Sequence, residues 1–161
     1  MNKIAFIFLI YNVINHEELW YMFFSNIDKS KYSIYIHYKY DERLEFLEEF
    51  KVSKNIPTKY ADISIVKAQN FMLLEALKDK NNTHYIFLSG SCIPLKPFEY
   101  IYDNLEEPFS YFHIANPDEC LPDCITALTY IDMKYLNKAS QWCILNRKHS
   151  ELLVNNTEYL L

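Results

Sequence analysis

The chain has 161 residues, half of them hydrophobic and 17% aromatic, which suits one folded domain with a sizeable core and excludes disorder. A net charge of -5 excludes a general nucleic-acid binder, which would carry a basic face. No apolar run spans a bilayer or has the form of a signal peptide, so the chain is expected to be soluble as given, with no anchor of its own.

Residues 3–10 form a continuous apolar run, the pattern of a strand buried on both faces in a parallel sheet. Asn15 and Glu18 then stand in the spacing of a capping box, and Leu19, Met22, Phe23 and Ile27 recur as the expected buried face of a first helix. Residues 32–38 read as a second strand, with Ile34 and Ile36 on one face and Tyr35 and His37 on the other. A short acidic helix is expected over 41–50, and a polar connection carrying Pro57 over 51–59. The next helix, capped by Asp62 or Ser64 and running to about 79, places Ile63, Val66, Leu73, Leu74 and Leu77 on one stripe. Asn70 falls within that stripe, either as a buried amide satisfied by backbone or as a residue facing a ligand crevice.

Residues 85–88 form a central strand that stops at Ser89-Gly90-Ser91, where Gly90 is the only glycine of the chain. Glycine permits positive φ and close approach of the backbone to a ligand, while a tight strand-to-helix turn is the plainer reading. A helix over 98–105, a strand over 110–114, an irregular stretch over 116–135 and an extended segment over 139–145 follow. Asn146 is expected to cap a last helix, and Arg147 to cap or pair locally rather than to anchor a phosphate. The alternation of strands and helices predicts a three-layer α/β fold with a mostly parallel central sheet, in a single domain over 1–161. The four cysteines lack a His/Cys partner pair for zinc and read as buried free thiols, Cys92 among them.

A single glycine rules out the glycine-rich loops that cradle phosphates in nucleotide hydrolases and dinucleotide enzymes. The Asp-x-Asp with which metal-dependent sugar transferases hold their metal is also absent. Ser89-Gly90-Ser91 stands in its place. A departing diphosphate here would have to be met by Lys, Arg or backbone N–H groups.

Several blocks in order resemble the core-2/I-branching glycosyltransferases, known as glycosyltransferase family 14. They are residues 3–9, Leu19-Trp20, Tyr35-Ile-His37, residues 56–66 with Ala68-Gln69, residues 88–95 and residues 140–147. The resemblance implies a Rossmann-like GT-A-type nucleotide-diphospho-sugar transferase fold. It also implies inverting, metal-independent transfer of N-acetylglucosamine or xylose from a UDP-sugar to a glycan or protein acceptor. No cofactor and no divalent metal is implied, and relatives usually reside at the Golgi membrane. Carried over by position, Tyr11, Asn12, His37, Tyr60, Asp62 and Ser64 become donor-side residues. Ser89, Gly90, Ser91 and Cys92 become the floor of the site, and Gln141 and Trp142 its acceptor side. Tyr60-Ala61 stands where the family has Trp-Gly. The family's catalytic Glu, in a Pro-Asp-Glu after the Ser-Gln-Trp block, would lie beyond Leu161, so the fold is expected to be incomplete at the C-terminus. Pro117-Asp118-Glu119 reads as a coincidental loop. A non-catalytic nucleotide-sugar- or glycan-binding remnant of the same fold is the alternative.

Overall fold

The apolar run at the start of the chain becomes the central strand of a four-stranded sheet in a computed structural model, which describes residues 2–115, 129, 132, 134 and 138–156. Strand β1 (Lys3–Ile10) pairs in parallel with β2 (Tyr32–Tyr38) on one side and β3 (Asn82–Ser89) on the other. The short strand β4 (Ile144–Asn146) pairs antiparallel with β3, giving the order β2-β1-β3-β4. Helices cover both faces, which makes the architecture three-layer α/β and mostly parallel, as the alternation of elements predicts.

The two-residue period of β1 divides the core. Ile4, Phe6, Phe8 and Ile10 point to the side covered by helix α1 (Glu17–Phe24) and helix α3 (Phe98–Asn104), where Phe6, Trp20, Phe24 and Phe98 meet as a cluster of rings. Ala5 and Ile7 point to the opposite side, against Met72, Leu73, Ala76 and Leu77 of helix α2 (Ser64–Leu77). Helix α4 (Arg147–Asn155) packs beside α2 on that side. Burying each Ile, Leu, Met or Phe side chain among these contributes about 1.5–3 kcal/mol relative to leaving it exposed.

The first two strands agree with the expected positions, β3 begins three residues earlier than the expected 85–88, β4 keeps only the end of the expected 139–145, and the helices agree less well. Helix α1 starts at Glu17 with no side-chain cap, and it buries Trp20 and Phe24, leaving Leu19 and Met22 exposed. Asn15 does not cap: its side-chain Nδ2 donates to Ser91 Oγ at 3.4 Å, and its backbone N–H donates to the Gly90 carbonyl at 2.8 Å. The expected helix over 41–50 shrinks to a 3-10 turn at Glu48–Phe50. Three N–H groups ahead of it, those of Glu45, Phe46 and Leu47, donate to the Glu17 carboxylate at 2.7–2.9 Å. A helix does not need to satisfy those groups when a carboxylate from α1 does.

Helix α2 also lacks a side-chain cap, and Ile63 and Val66 at its start are exposed, while Ala68 and Met72 join the buried face instead. Residues 110–114 form only isolated bridges, Tyr111 with Ile144 and Ile114 with Ala139. The expected irregular stretch over 116–135 lies almost wholly outside the described residues, and so does Pro117-Asp118-Glu119. At the last helix the expected cap is present: the His149 N–H donates to Asn146 Oδ1 at 2.8 Å. Arg147 acts locally, as expected. Its guanidinium donates to the carbonyls of Leu77, Asp79 and Asn82 and to the Tyr85 hydroxyl, and it pairs with Glu151 at 2.9 Å. No helix among the described residues is long and apolar enough to cross a membrane.

Candidate functional site

The carboxyl ends of parallel strands are where an open α/β sheet leaves room for a ligand. A cavity of about 200 Å³ lies there, over the ends of β1 and β2 on the α2 side. Leu9, Ile10 and Tyr11 come from the end of β1, and His37 and Lys39 from the end of β2. Thr58, Lys59 and Tyr60 come from the connection into α2, Ile65 from its first turn, and Gln141 and Trp142 from the segment before β4.

Each wall is held by local bonds. Ser64 Oγ accepts the Lys59 N–H at 2.9 Å, and Asp62 Oδ1 accepts the Ser64 N–H at 2.9 Å. These bonds to Ser64 hold the Asp62 carboxyl below the usual carboxylate range. Between them Ala61 adopts φ 52°, the left-handed region that disfavours a residue with a Cβ. That is the position at which a glycine was expected on the resemblance, and the backbone keeps the glycine-like conformation without the glycine.

His37 is buried, and burial depresses the pKa of its imidazole, with a backbone hydrogen bond to Ile56 opposing in part. Its Nε2 lies 2.9 Å from the Ile56 carbonyl and 3.2 Å from the Ile56 N–H, so the ring is neutral and ties β2 to the connection over 51–59. One tautomer donates to the carbonyl and the other accepts from the N–H. At the rim the Tyr11 and Tyr40 rings meet edge to face at 4.9 Å. The neighbouring Tyr40 side chain raises the pKa of the Tyr11 phenol. The ammonium of Lys39 stands 5.2 Å from the Tyr11 ring and 5.4 Å from the Tyr40 ring.

The cavity therefore gathers Tyr11, His37, Tyr60, Gln141 and Trp142 from the candidate set, and leaves the others outside its lining. Asn12 donates to Glu42 Oε1 at 2.9 Å on the outer side of the loop. Asp62 and Ser64 brace the loop from behind. The Ser89–Cys92 turn closes on itself: the Ser89 N–H reaches Cys92 Sγ at 3.3 Å, and the Ser91 N–H reaches Ser89 Oγ at 3.2 Å. Cys92 lines a separate open cavity of about 420 Å³, which Trp142 divides from the first.

Gly90 has no positive φ. A side chain is excluded there because a Cβ would stand 2.5 Å from the Val13 carbonyl oxygen. The close approach is to the chain's own loop after β1, which the Asn15–Gly90 hydrogen bond also ties to the Ser89–Cys92 turn.

The largest cavity, about 700 Å³, lies elsewhere, between α2 and α4. Its walls are mostly apolar, with Val66, Phe87, Leu145 and Leu152 among them. Asn70 lines it, buried, and its Nδ2 has no hydrogen-bond partner among the described residues, so of the two readings of that amide the structure shows the residue facing a crevice. The smaller cavity is the stronger candidate because it lies at the carboxyl ends of the parallel strands and gathers Tyr11, His37, Lys39, Thr58, Lys59, Tyr60 and Gln141 there. Sequence reasoning missed Lys39, Thr58 and Lys59. The signal available was their position, directly after β2 and directly before the Tyr-Ala-Asp block.

Residues 4–161 match the core-2/I-branching enzyme family. The chain belongs to that family. Core-2/I-branching membership is accompanied by similarity to the protein named glycosyltransferase BC10 of Oryza sativa subsp. japonica, at 28% identity over 98% of the chain. The chain spans 42% of the length of that relative.

Proposed function

We propose that the chain is the donor-binding portion of a sugar transferase that takes a UDP-sugar, N-acetylglucosamine or xylose being the sugar, and passes it with inversion and without a divalent metal to a glycan or protein acceptor. The observation that carries this reading is the cavity over the ends of β1 and β2, in a chain of the core-2/I-branching family. Tyr11, His37 and Tyr60 form its donor wall, and Gln141 and Trp142 its acceptor wall. Asp62, Ser64 and the Ser89–Cys92 turn support the loops that carry those walls, and Asn12 fixes the loop after β1. Calorimetric titration with UDP, UDP-N-acetylglucosamine and UDP-xylose, each with and without EDTA, tests it. Binding that survives EDTA is expected. No binding of any of them, or a strict requirement for Mn²⁺, overturns it.

A second reading, donor binding without transfer, is favoured by one observation. No carboxylate is among the described residues that line the cavity, and direct displacement needs a base for the acceptor hydroxyl proton. Turnover of either UDP-sugar by this 161-residue chain would refute the second reading.

A further inference from the structure

The cavity of about 700 Å³ between α2 and α4 is set apart from the donor-binding reading, and shares only Gln141 with the smaller cavity. Buried Phe87 of β3 and Leu145 of β4 supply its sheet side, while Val66 of α2, Leu152 of α4 and Phe112 stand exposed around it. A pocket of roughly 300–1,000 Å³ with apolar walls and a few placed polar groups is the usual form of a small-molecule site. No Asp, Glu, Lys or Arg is among its described lining residues. An ion would lose its hydration here with no counter-charge in return, so the occupant that fits is uncharged.

The polar side chains of that lining are not equivalent. Gln69 Nε2 donates to the Gln141 carbonyl at 3.4 Å, Asn156 Nδ2 donates to the Leu152 carbonyl at 2.7 Å, and His149 Nδ1 meets Ser110 Oγ at 2.8 Å. Asn70 differs. It is only 2% exposed, and its Nδ2 has no partner among the described residues. A buried donor left unpaired carries a desolvation cost that a matching acceptor removes. Water matches poorly, because a water held between apolar walls needs several polar partners, and Asn70 Nδ2 is the one buried side-chain atom of the described lining left without any.

We propose that this cavity binds an uncharged, mostly apolar small molecule carrying one carbonyl oxygen, which accepts a hydrogen bond from Asn70 Nδ2 while the remainder packs between α2 and α4. The proposal goes beyond the donor-binding reading and does not rest on it. A carbonyl matches because Nδ2 only donates and a carbonyl oxygen only accepts. A hydroxyl would bring a donor of its own, and no buried side-chain acceptor of the described lining is without a partner. A polypeptide strand would bring an N–H and a carbonyl at almost every residue against a single free donor, which favours a small molecule as the occupant.

The test is an NMR titration of the 161-residue chain with benzophenone and with diphenylmethane, which carry a carbonyl and a methylene between the same two rings. Benzophenone is expected to bind about tenfold more tightly, the effect of one hydrogen bond to a buried donor that otherwise has none. Asn70→Leu should bind the two probes alike, with diphenylmethane as tight as in the unmodified chain. That variant should also melt no lower by circular dichroism, because an apolar side chain of similar size removes the unpaired donor. Val66→Trp, which fills the cavity from the first turn of α2, should weaken both probes about tenfold or more, and Leu152→Trp replaces it if it fails to fold. Equal affinities in the unmodified chain, or a benzophenone advantage kept in Asn70→Leu, overturn the carbonyl seat. A clear fall in the melting temperature of Asn70→Leu overturns it too, since the amide would then have a partner already. Probe affinities unchanged in the folded tryptophan variant place the binding elsewhere and overturn the site. Binding of neither probe, the result if a polypeptide segment covers the cavity, also overturns it.

Discussion

A methyl group at position 90 has nowhere to go, because the atom it would meet at 2.5 Å is a backbone carbonyl oxygen rather than a side-chain end that can swing away. Gly90→Ala is therefore expected to destabilise the fold by about 1–3 kcal/mol, through displacement of the loop after β1. Since φ at Gly90 is not positive, the cause is crowding and not backbone strain. A urea midpoint equal to that of the unmodified chain would contradict this. Ala61 is the converse case. Its φ of 52° costs an alanine about 1–2 kcal/mol, so Ala61→Gly should raise stability by about 0.5–1 kcal/mol, net of the entropy a glycine adds to the unfolded chain. A fall in stability would mean that the loop before α2 does not hold this conformation in solution.

At the scale of elements, Arg147 joins α4 to the end of α2. The last carbonyls of a helix have no partner within it, and the guanidinium supplies donors to Leu77 and Asp79 there while also reaching Asn82 and Tyr85 in β3. Burial pushes the Tyr85 phenol up to about 12, with the Arg147 charge opposing, so the hydroxyl stays a neutral partner. Arg147→Met should cost about 2–4 kcal/mol in chemical denaturation, because it leaves several buried carbonyls unmatched. Arg147→Lys should restore little of it, since a single ammonium cannot span that set. A cost below about 1 kcal/mol for Arg147→Met would remove the guanidinium as the link between these elements. The strands around this link were legible because a fully buried strand is apolar at every position, as in β1. Helix faces were harder to read. In α1 the sequence offers Leu19, Met22, Phe23, Trp20 and Phe24 all within one turn and a half, and aromatic packing against Phe6 chose Trp20 and Phe24. The cap at α1 failed where a distant group engaged the side chain, as Ser91 does Asn15.

Across the whole molecule, the placement of the site was legible from the order of strands, but its chemical lining only in part. Tyr11, His37 and Tyr60 could be placed by the family resemblance, whereas Lys39 and Lys59 converge only once β2 and the connection into α2 are folded together. The same folding buries two imidazoles, His37 at the site and His84 in β3, and burial lowers the pKa of both from an unfolded value near 6.5. Below pH 6.5 the unfolded chain takes up protons that the folded one refuses, so stability falls as pH drops from there and levels off only below the folded pKa values. More than about one pH unit above 6.5 both histidines are neutral in either state and contribute no slope. The lowered carboxyls of Asp79 and Glu48 extend the loss at lower pH, beginning near their own unfolded values, because their hydrogen bonds and ion pairs also favour the deprotonated form. Denaturant midpoints measured from pH 8 to pH 4 should thus be flat to about 7.5 and then decline, most steeply below about 6.5. His37→Gln with His84→Gln should remove the upper part of the decline and leave the carboxyl part. If the double variant keeps the full slope between pH 6.5 and 5, the two imidazoles are not its source, and the neutral ring assigned to His37 at the site falls with that result.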